Sequence, residues 1–528
     1  MNKTALTKTY TKDIQNSCLN SKKIVLSLAA ISFSASCTHA TLTPEIETYE
    51  EATNRHTKAR SASRSTNSNN KTTISSLQNS TQTVSNTGNT LVIESSGTIT
   101  ISNGNQQAVN FQPNSSTSTF LNQGTLIGGN NTASVQLGAS NNNGVTIETF
   151  NNQGIIGNGS SKFGVTVWGA NSSKSTINNF SNSGTIHSNA GESIYFGNAN
   201  ISSFANSGTI KSKQGTGVNI SQGTSIENFN NTRTIEGKRM GVNVRSTINT
   251  FVNNGLIAAT DMRSSDGIQI NANVKTLINK GTIEGHTTSI RSLGGTIETL
   301  TNEGIMNGKS AGIYMRGGRV KTLINKGTIN HTDSSVGWGA GIKLENGSTI
   351  ENIINTGTVN STGFGIAVTH GKFGTLTIKD GGKVYGKYEG IGVGQWQTLG
   401  DLYIDGSLNN GRVSGIYSEE RGISLDANSR TQKIELKNGG IIKGNIHGIR
   451  LDNGASLSGE MILSGEGSRV EGGSGAGILN RSGKIEGSIT IKDGATVTAT
   501  SNRAIVNYRS GSITGGITVS GKNTKLEG

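Results

Sequence analysis

The sequence predicts an all-β chain that folds as a right-handed parallel β-helix, a solenoid of about sixteen coils with about three short strands in each. One observation behind this prediction is a motif, apolar-x-x-apolar-x-Asn-x-Gly-x-apolar, which recurs from Phe120 to Ile353 at intervals of 22 to 30 residues. A second is a shorter motif between the copies, small-apolar-x-apolar, as in Gly217-Val218-Asn219-Ile220. The third is composition, because Ile, Val, Thr, Phe, Asn, Ser and Gly favour strands and turns over helices.

Each position of the longer motif has a predicted role. The apolar positions point inward, and five of their phenylalanines form one internal column: Phe150, Phe180, Phe204, Phe229 and Phe251. The asparagine recurs at the same point of every coil, so stacked side-chain amides bond along the axis. It is present in all ten copies: Asn122, Asn152, Asn182, Asn206, Asn231, Asn253, Asn279, Asn302, Asn325 and Asn355. Glycine permits positive φ at the corner that follows, and Arg233 replaces it once, so we expect that corner to be strained or rearranged. The right hand follows from strand twist and the crossover rule.

After Ile353 the motif changes but the period survives, in segments such as Leu376-Thr377-Ile378-Lys379-Asp380-Gly381. Their Lys-Asp and Lys-Asn pairs recur at one phase, which indicates turns. The predicted divisions are an extended signal peptide (1–40), a disordered linker (41–75), an N-terminal cap with the first coils (76–115), a β-helix of Asn-Gly repeats (116–360) and a β-helix of a second repeat subtype with a truncated end (361–528). Disorder of the whole body is the alternative, since only 31% of the residues are hydrophobic and 5% aromatic. The strict apolar period argues against it.

The first forty residues have the features of an export signal. Two lysines precede an apolar run from Ile24 to Ala35, and small residues then fit cleavage after Ala40. A lipoprotein signal cut before Cys37 is one alternative, and a buried hydrophobic helix is another. The chain has two cysteines, Cys18 and Cys37, so cleavage after Ala40 would leave none. Passage through a narrow pore in an unfolded state would explain why a secreted chain of this size lacks disulfides.

These features together resemble the passenger domain of a Gram-negative autotransporter (type V secretion). The segment Phe204-Ala205-Asn206-Ser207-Gly208-Thr209-Ile210 resembles the repeats of autotransporter adhesins from epsilon-class proteobacteria, and the resemblance covers roughly residues 20–528. It implies an outer-membrane β-barrel translocator as a partner, yet no segment after Ile353 has the alternating strands expected of one. The chain also stops at Gly528 within a coil, so we expect a truncated product or a record that ends before the gene product does. The expected location is the cell surface, the outer membrane or the medium if a barrel is present, and the periplasm otherwise.

An enzymatic role is the main alternative, because parallel β-helices also house polysaccharide lyases and hydrolases. Ser265-Asp266-Gly267-Ile268 resembles one motif of polygalacturonases, but their paired Asp, Gly-His-Gly and Arg-Ile-Lys elements are missing. His447 lies some seven coils away from Asp266, too far to share a site, so we interpret Asp266 as a turn residue before a strand. We predict no catalytic residue, no metal site and no cofactor. A trio of carboxylates on adjacent coils would favour the enzyme.

The formal charge of +14 favours anionic partners such as host glycans, lipopolysaccharide or nucleic acid, although a solvated face rich in Lys and Arg is the simpler interpretation. No basic patch is interleaved with aromatic residues, so we predict no nucleic-acid partner. The candidate anion- or glycan-binding residues occupy equivalent places in two nearby coils: Lys275, Lys280, Lys321 and Lys326. Three tryptophans are assigned to packing, with glycan stacking as the alternative: Trp168, Trp338 and Trp396. The predicted function is a non-enzymatic, surface-displayed adhesin or self-association module that contacts host cells, glycans or like cells; a purely structural stalk is a further alternative.

Overall fold

A computed structural model of the chain describes residues 71–85, 87–261, 265–407 and 413–528. All elements in these ranges are strands, and they form three parallel sheets stacked as a solenoid of about 17 coils. The predicted parallel β-helix is therefore confirmed, with one coil more than the sequence suggested. The predicted signal peptide and nearly all of the predicted linker lie outside the described residues, including Cys37 and the cleavage position after Ala40. The linker prediction is wrong at its end, because Lys71–Ile74 is a strand that pairs with Thr87–Ile93 and buries Ile74.

Each coil crosses the three sheets in turn, and every strand pairs in parallel with its equivalent in the next coil. Sheet 1 comprises Lys71–Ile74, Thr87–Ile93, Ser116–Asn122, Thr146–Asn152, Ser175–Asn182, Ala199–Asn206, Ser225–Asn231, Thr247–Asn253, Val274–Asn279, Thr296–Asn302, Arg319–Asn325, Ser348–Asn355, Gly371–Ile378, Thr398–Asp405, Arg430–Lys437, Ser456–Leu457, Met461–Ser464, Lys484–Ile485, Ile489–Lys492, Ser512–Ile513 and Ile517–Ser520. Sheet 2 comprises Leu77–Gln78, Thr98–Thr100, Thr125–Ile127, Ile155–Ile156, Thr185–Ser188, Thr209–Ser212, Thr234–Gly237, Leu256–Ala259, Thr282–Gly285, Ile305–Gly308, Thr328–His331, Thr358–Ser361, Lys383–Gly386, Gly415–Ser418, Ile441–Gly444, Arg469–Gly472, Thr496–Ala499 and Lys525–Glu527. Sheet 3 comprises Gln82–Val84, Val109–Phe111, Ala133–Leu137, Phe163–Val167, Ile194–Phe196, Thr216–Ile220, Met240–Val244, Asp266–Ile270, Thr288–Ser292, Ala311–Arg316, Ala340–Glu345, Phe364–Val368, Glu389–Val393, Arg421–Leu425, His447–Asp452, Ile478–Arg481 and Ile505–Tyr508.

The core is one continuous cluster of apolar side chains, which stack in columns along the solenoid axis. Its central part is the predicted phenylalanine column, which is confirmed: Phe150, Phe180, Phe204, Phe229 and Phe251 are each at most 1% exposed. Neighbouring rings stack with centroids 4.3 to 5.3 Å apart. Because one coil's ring rests on the next, each phenylalanine stabilises mainly its own coil and the two adjacent ones.

The predicted asparagine ladder is also confirmed, at the corner between sheets 1 and 2. From Asn122 to Asn355, each Nδ2 donates to the Oδ1 of the next asparagine at 2.7 to 2.9 Å. All ten side chains are at most 1% exposed, so the bonds that satisfy them are needed to offset burial of the amides. Ile93 precedes the ladder and Ile378 follows it in register, so an apolar column replaces the amides at both ends.

The corner glycines differ from the prediction in their physical reason. None has positive φ; instead, a Cβ at Gly208 would lie 2.0 Å from the carbonyl oxygen of Gly184 in the preceding coil, and the other corner glycines are equally crowded. The Arg233 corner is not strained in the way we expected, because Arg233 does not have positive φ. Its amide has no backbone acceptor among the described residues, whereas the Gly208 amide donates to the Asn182 carbonyl oxygen at 3.0 Å; the Gly124 amide in the first copy also has none. Close approach of successive coils, rather than a left-handed backbone, is what the glycine permits.

Candidate functional site

Lys275 and Lys321 lie on the exposed outer face of sheet 1, and Lys280 and Lys326 directly follow the same two strands, but glutamates separate the members of each column. Register places Glu298 between Lys275 and Lys321 in one column, and Glu303 between Lys280 and Lys326 in a second. Lys321 Nζ lies 2.9 Å from Glu298 Oε1, and Lys326 Nζ lies 3.0 Å from Glu303 Oε1. The two columns therefore alternate in sign and are partly neutralised. That these lysines bind an anion stays a prediction.

Further along the same face, cations occur without carboxylate partners. Lys372, Thr398, Arg430, Ser456 and Lys484 are consecutive register partners in five successive coils. The three basic side chains are exposed and form no ion pair with any described residue. We call the five register partners, three basic and two with hydroxyl groups, the cation column. Since the cations occupy alternate coils, they repeat at ~9.6 Å along the axis.

The cation column forms one bank of a shallow groove of about 660 Å³ across sheet 1. Gly374 and Gly400 lie in the groove, and Asp401 and Glu486 also line it. A Cβ at Gly400 would lie 1.8 Å from the Gly374 carbonyl oxygen, so glycine is required there and the floor remains backbone. The groove thus combines three cations, two carboxylates and hydroxyl and amide groups over five coils.

Trp396 stands at the rim of this groove in an unusual conformation. Its φ is 66°, and its side chain is 67% exposed. The stacked turns of the next two coils place Asn428 (φ 58°) and Gly454 (φ 81°) in the left-handed region, which these residue types adopt readily. A tryptophan there costs roughly 1–2 kcal/mol of backbone strain. Because the ring is exposed, its burial does not offset that cost.

The other two tryptophans behave differently. Trp168 is half-buried and packs on Tyr195 with ring centroids 4.4 Å apart. Trp338 is 72% exposed, yet its ring stacks on Phe364 at 5.8 Å with an interplanar angle of 7°. The packing interpretation therefore fits Trp168, fits Trp338 in part, and fails for Trp396.

Asp266, the residue of the polygalacturonase-like motif, begins a strand of sheet 3 and is 1% exposed. Its carboxylate lies 3.2 Å from Arg291 Nε and accepts a hydrogen bond from Thr288 at 2.5 Å. Burial raises its pKa, and the Arg291 charge opposes that rise. His447 is in the same register column but seven coils away, so the two residues share no site, as predicted. The interpretation of Asp266 as a turn residue is therefore wrong: it belongs to the strand, and it is a buried ion-pair partner of Arg291.

Sheet 3 does contain carboxylates on adjacent coils, the feature that the enzyme alternative requires. Glu389, Asp426 and Asp452 lie in or directly after three successive strands. Arg421 Nη1 is 3.0 Å from Glu389 Oε1, and the Arg450 guanidinium bonds to Asp452. Burial raises the pKa of Glu389 to about 7, the Asp426 charge adds to the rise, and Arg421 opposes it. No three acidic, histidine or cysteine side chains in the described ranges converge as metal ligands.

No protein-family model matches the sequence, and comparisons with curated proteins and with solved structures gave no significant match. The described residues include no helix of the length and apolarity that a bilayer-spanning segment needs.

Proposed function

We propose that the protein is the passenger part of an autotransporter-type adhesin, displayed outside the cell, which binds host surfaces or like cells without catalysing a reaction. The observation that carries the proposal is the outer face of sheet 1. No described strand packs across it, and it bears the cation column with no acidic partner. A lateral face of this kind suits contact with an extended partner, and the net charge of +14 favours an anionic one. The export features of residues 1–40 support display.

Surface display and adhesion can be tested together. Residues 41–528 are fused to the translocator of a known autotransporter, and cells displaying the fusion are compared with cells displaying the translocator alone. We expect more binding to host-cell monolayers, with a decline as salt is added, because exposed charges are screened over about 8–10 Å at physiological ionic strength. Equal binding to the monolayers together with equal clumping by both strains would overturn the proposal. Clumping of the displaying cells without binding to host cells would assign the face to self-association.

A second function, cleavage of a polysaccharide, is favoured by the acidic group at Glu389, Asp426 and Asp452, since a carboxyl with a pKa near 7 suits general acid–base catalysis. Against it, Arg421 and Arg450 hold two of the carboxylates, and Glu389 is only 8% exposed. These contacts are those of a charge-compensated buried cluster. Release of new reducing ends from a polysaccharide by the purified protein, abolished by Glu389→Gln, would establish the enzyme instead.

A further inference from the structure

We propose that the groove on sheet 1 is a binding site for an acidic oligosaccharide, a linear chain bearing carboxylate or sulfate groups, with one sugar ring stacked on Trp396. This inference rests on the proposed adhesive function and names its ligand class. It is carried by three features that lie together: an exposed indole ring, cations without ion-pair partners, and a floor that is bare backbone at Gly374 and Gly400.

The aromatic ring is the first of these features. Trp396 occupies a turn position with positive φ, and the equivalent positions of the next two coils are Asn428 and Gly454. Unlike these two residues, tryptophan is bulky, so its backbone is strained in this conformation. Strained, exposed residues concentrate at binding sites, where the strain holds a side chain in position for a ligand. The apolar face of a pyranose ring can lie flat against an indole, which is a large amphipathic surface with few rotatable bonds.

The cation column supplies the second feature. Its basic residues, Lys372, Arg430 and Lys484, have no described ion-pair partner, so a ligand anion displaces no salt bridge. They repeat every second coil, at ~9.6 Å, with Thr398 and Ser456 between them. That interval is comparable with the length of a disaccharide. In a polymer that carries one acidic group on every second sugar, each acidic group would therefore lie next to one cation of the column.

The floor and the remaining polar groups explain why the ligand should be a sugar chain. Gly374 and Gly400 let a ligand approach the backbone, and Gly400 accepts no Cβ. Asp401, Gln432 and Glu486 provide oxygen acceptors for sugar hydroxyls within the same groove. An inorganic anion would need only the cations, whereas acceptors beside cations match a ligand that carries both hydroxyls and charge.

The test measures binding of size-defined oligosaccharides to the purified full chain by calorimetry and by tryptophan fluorescence. The probes are a uronic-acid oligomer, a sulfated oligomer and a neutral oligomer of equal length. We expect the acidic oligomers to bind and the neutral one to bind at least about tenfold more weakly, with the preferred acidic group showing which source the site favours. Equal binding of all three would overturn the proposal.

Trp396→Asn is the sharpest variant, because asparagine is native at the stacked position 428 and relieves strain instead of adding it. Affinity should fall roughly tenfold or more. Trp338→Ala, at an exposed tryptophan outside the groove, is the matched control and should bind as the native protein does. Replacing Lys372, Arg430 and Lys484 with Gln should weaken binding and flatten its salt dependence. The same change at three exposed lysines outside the groove, Lys174, Lys309 and Lys522, removes equal charge and should leave affinity within about twofold of the native value.

Native affinity in Trp396→Asn and in the triple Gln variant would overturn the site. If no oligosaccharide binds while displayed cells still adhere, the groove proposal fails and the adhesive function stands. If the oligosaccharide binds but displayed cells do not adhere, the adhesive function fails and the site stands.

Discussion

The asparagine ladder makes a position-dependent prediction about stability. In Asn231→Ala, the Oδ1 of Asn253 loses the donor that lies 2.8 Å away and becomes a buried acceptor without a partner. The amide of Asn206 still donates to the carbonyls of Gly208 and Thr234, so no buried donor is orphaned. A buried unsatisfied acceptor costs about 1–3 kcal/mol, in addition to the loss of packing.

Asn122→Ala is the matched control. Both asparagines are 0% exposed, but the Oδ1 of Asn122 already has no partner, because Ile93 precedes it in the column. Asn122→Ala removes this unpaired acceptor, but it also removes the donor to Asn152 Oδ1, which becomes unpaired instead. The number of buried acceptors without a donor is therefore unchanged. Asn231→Ala should therefore destabilise its coils by about 1–3 kcal/mol more than Asn122→Ala does.

Hydrogen exchange of backbone amides, read by mass spectrometry on the full chain, is the appropriate assay, because a solenoid opens locally and a single unfolding midpoint would average its coils. The amides of residues 254–256, which bond to the mutated coil, report the interior variant. Equal losses of local opening free energy at Asn122 and Asn231 would refute the assignment of ladder stability to satisfied amides.

Three further predictions concern the core, the corner and pH. Phe204→Ala removes a ring stacked 5.3 Å from Phe180 and 4.4 Å from Phe229, so it should cost about 3–5 kcal/mol, with new proteolytic cleavage confined to neighbouring coils. In Arg233→Gly the amide at position 233 should gain the hydrogen bond that most corner glycines make. The opening free energy of that corner should rise by about 0.5–1 kcal/mol, which slows hydrogen exchange there; faster exchange would contradict this. Because the folded-state pKa of Glu389 is raised from 4.5 to about 7, the stability it contributes is present below pH 4.5 and lost as pH rises through 7. In Glu389→Gln, the opening free energy of the coils around residue 389, measured by hydrogen exchange, should lose this pH dependence. In Glu420→Gln, the control, it should keep it.

Much of the fold could be predicted because the repeat fixes the register. The constant offset between phenylalanine and asparagine identifies which residues stack, and both columns follow from it. The corner glycines were placed correctly but for the wrong reason, since sequence does not show how closely the Gly208 Cβ position approaches the carbonyl of Gly184. The ordered strand Lys71–Ile74 was missed because its four residues contain one apolar side chain and no motif.

The site was harder to predict. The glutamates between the lysines were visible in the motif that contains Leu300, and aligning all copies would have shown the alternation. The acidic cluster had a signal too, because Asp426 and Asp452 each follow a Gly-Ile-x-Leu segment and Glu389 precedes a Gly-Ile pair. The cation column had none, since its members are 26 to 32 residues apart in coils of unequal length. Exposure and positive φ at Trp396 depend on the fold of its turn, which no local pattern records.

The central claim is that the molecule binds an acidic glycan and leaves it intact. Native mass spectrometry of the purified protein, incubated with an acidic oligosaccharide of defined length, measures binding and cleavage in one spectrum. The account predicts a complex whose mass equals protein plus the full-length oligosaccharide, and a free ligand that keeps its length. Shortened products, or the absence of any complex at concentrations where displayed cells adhere, would contradict it.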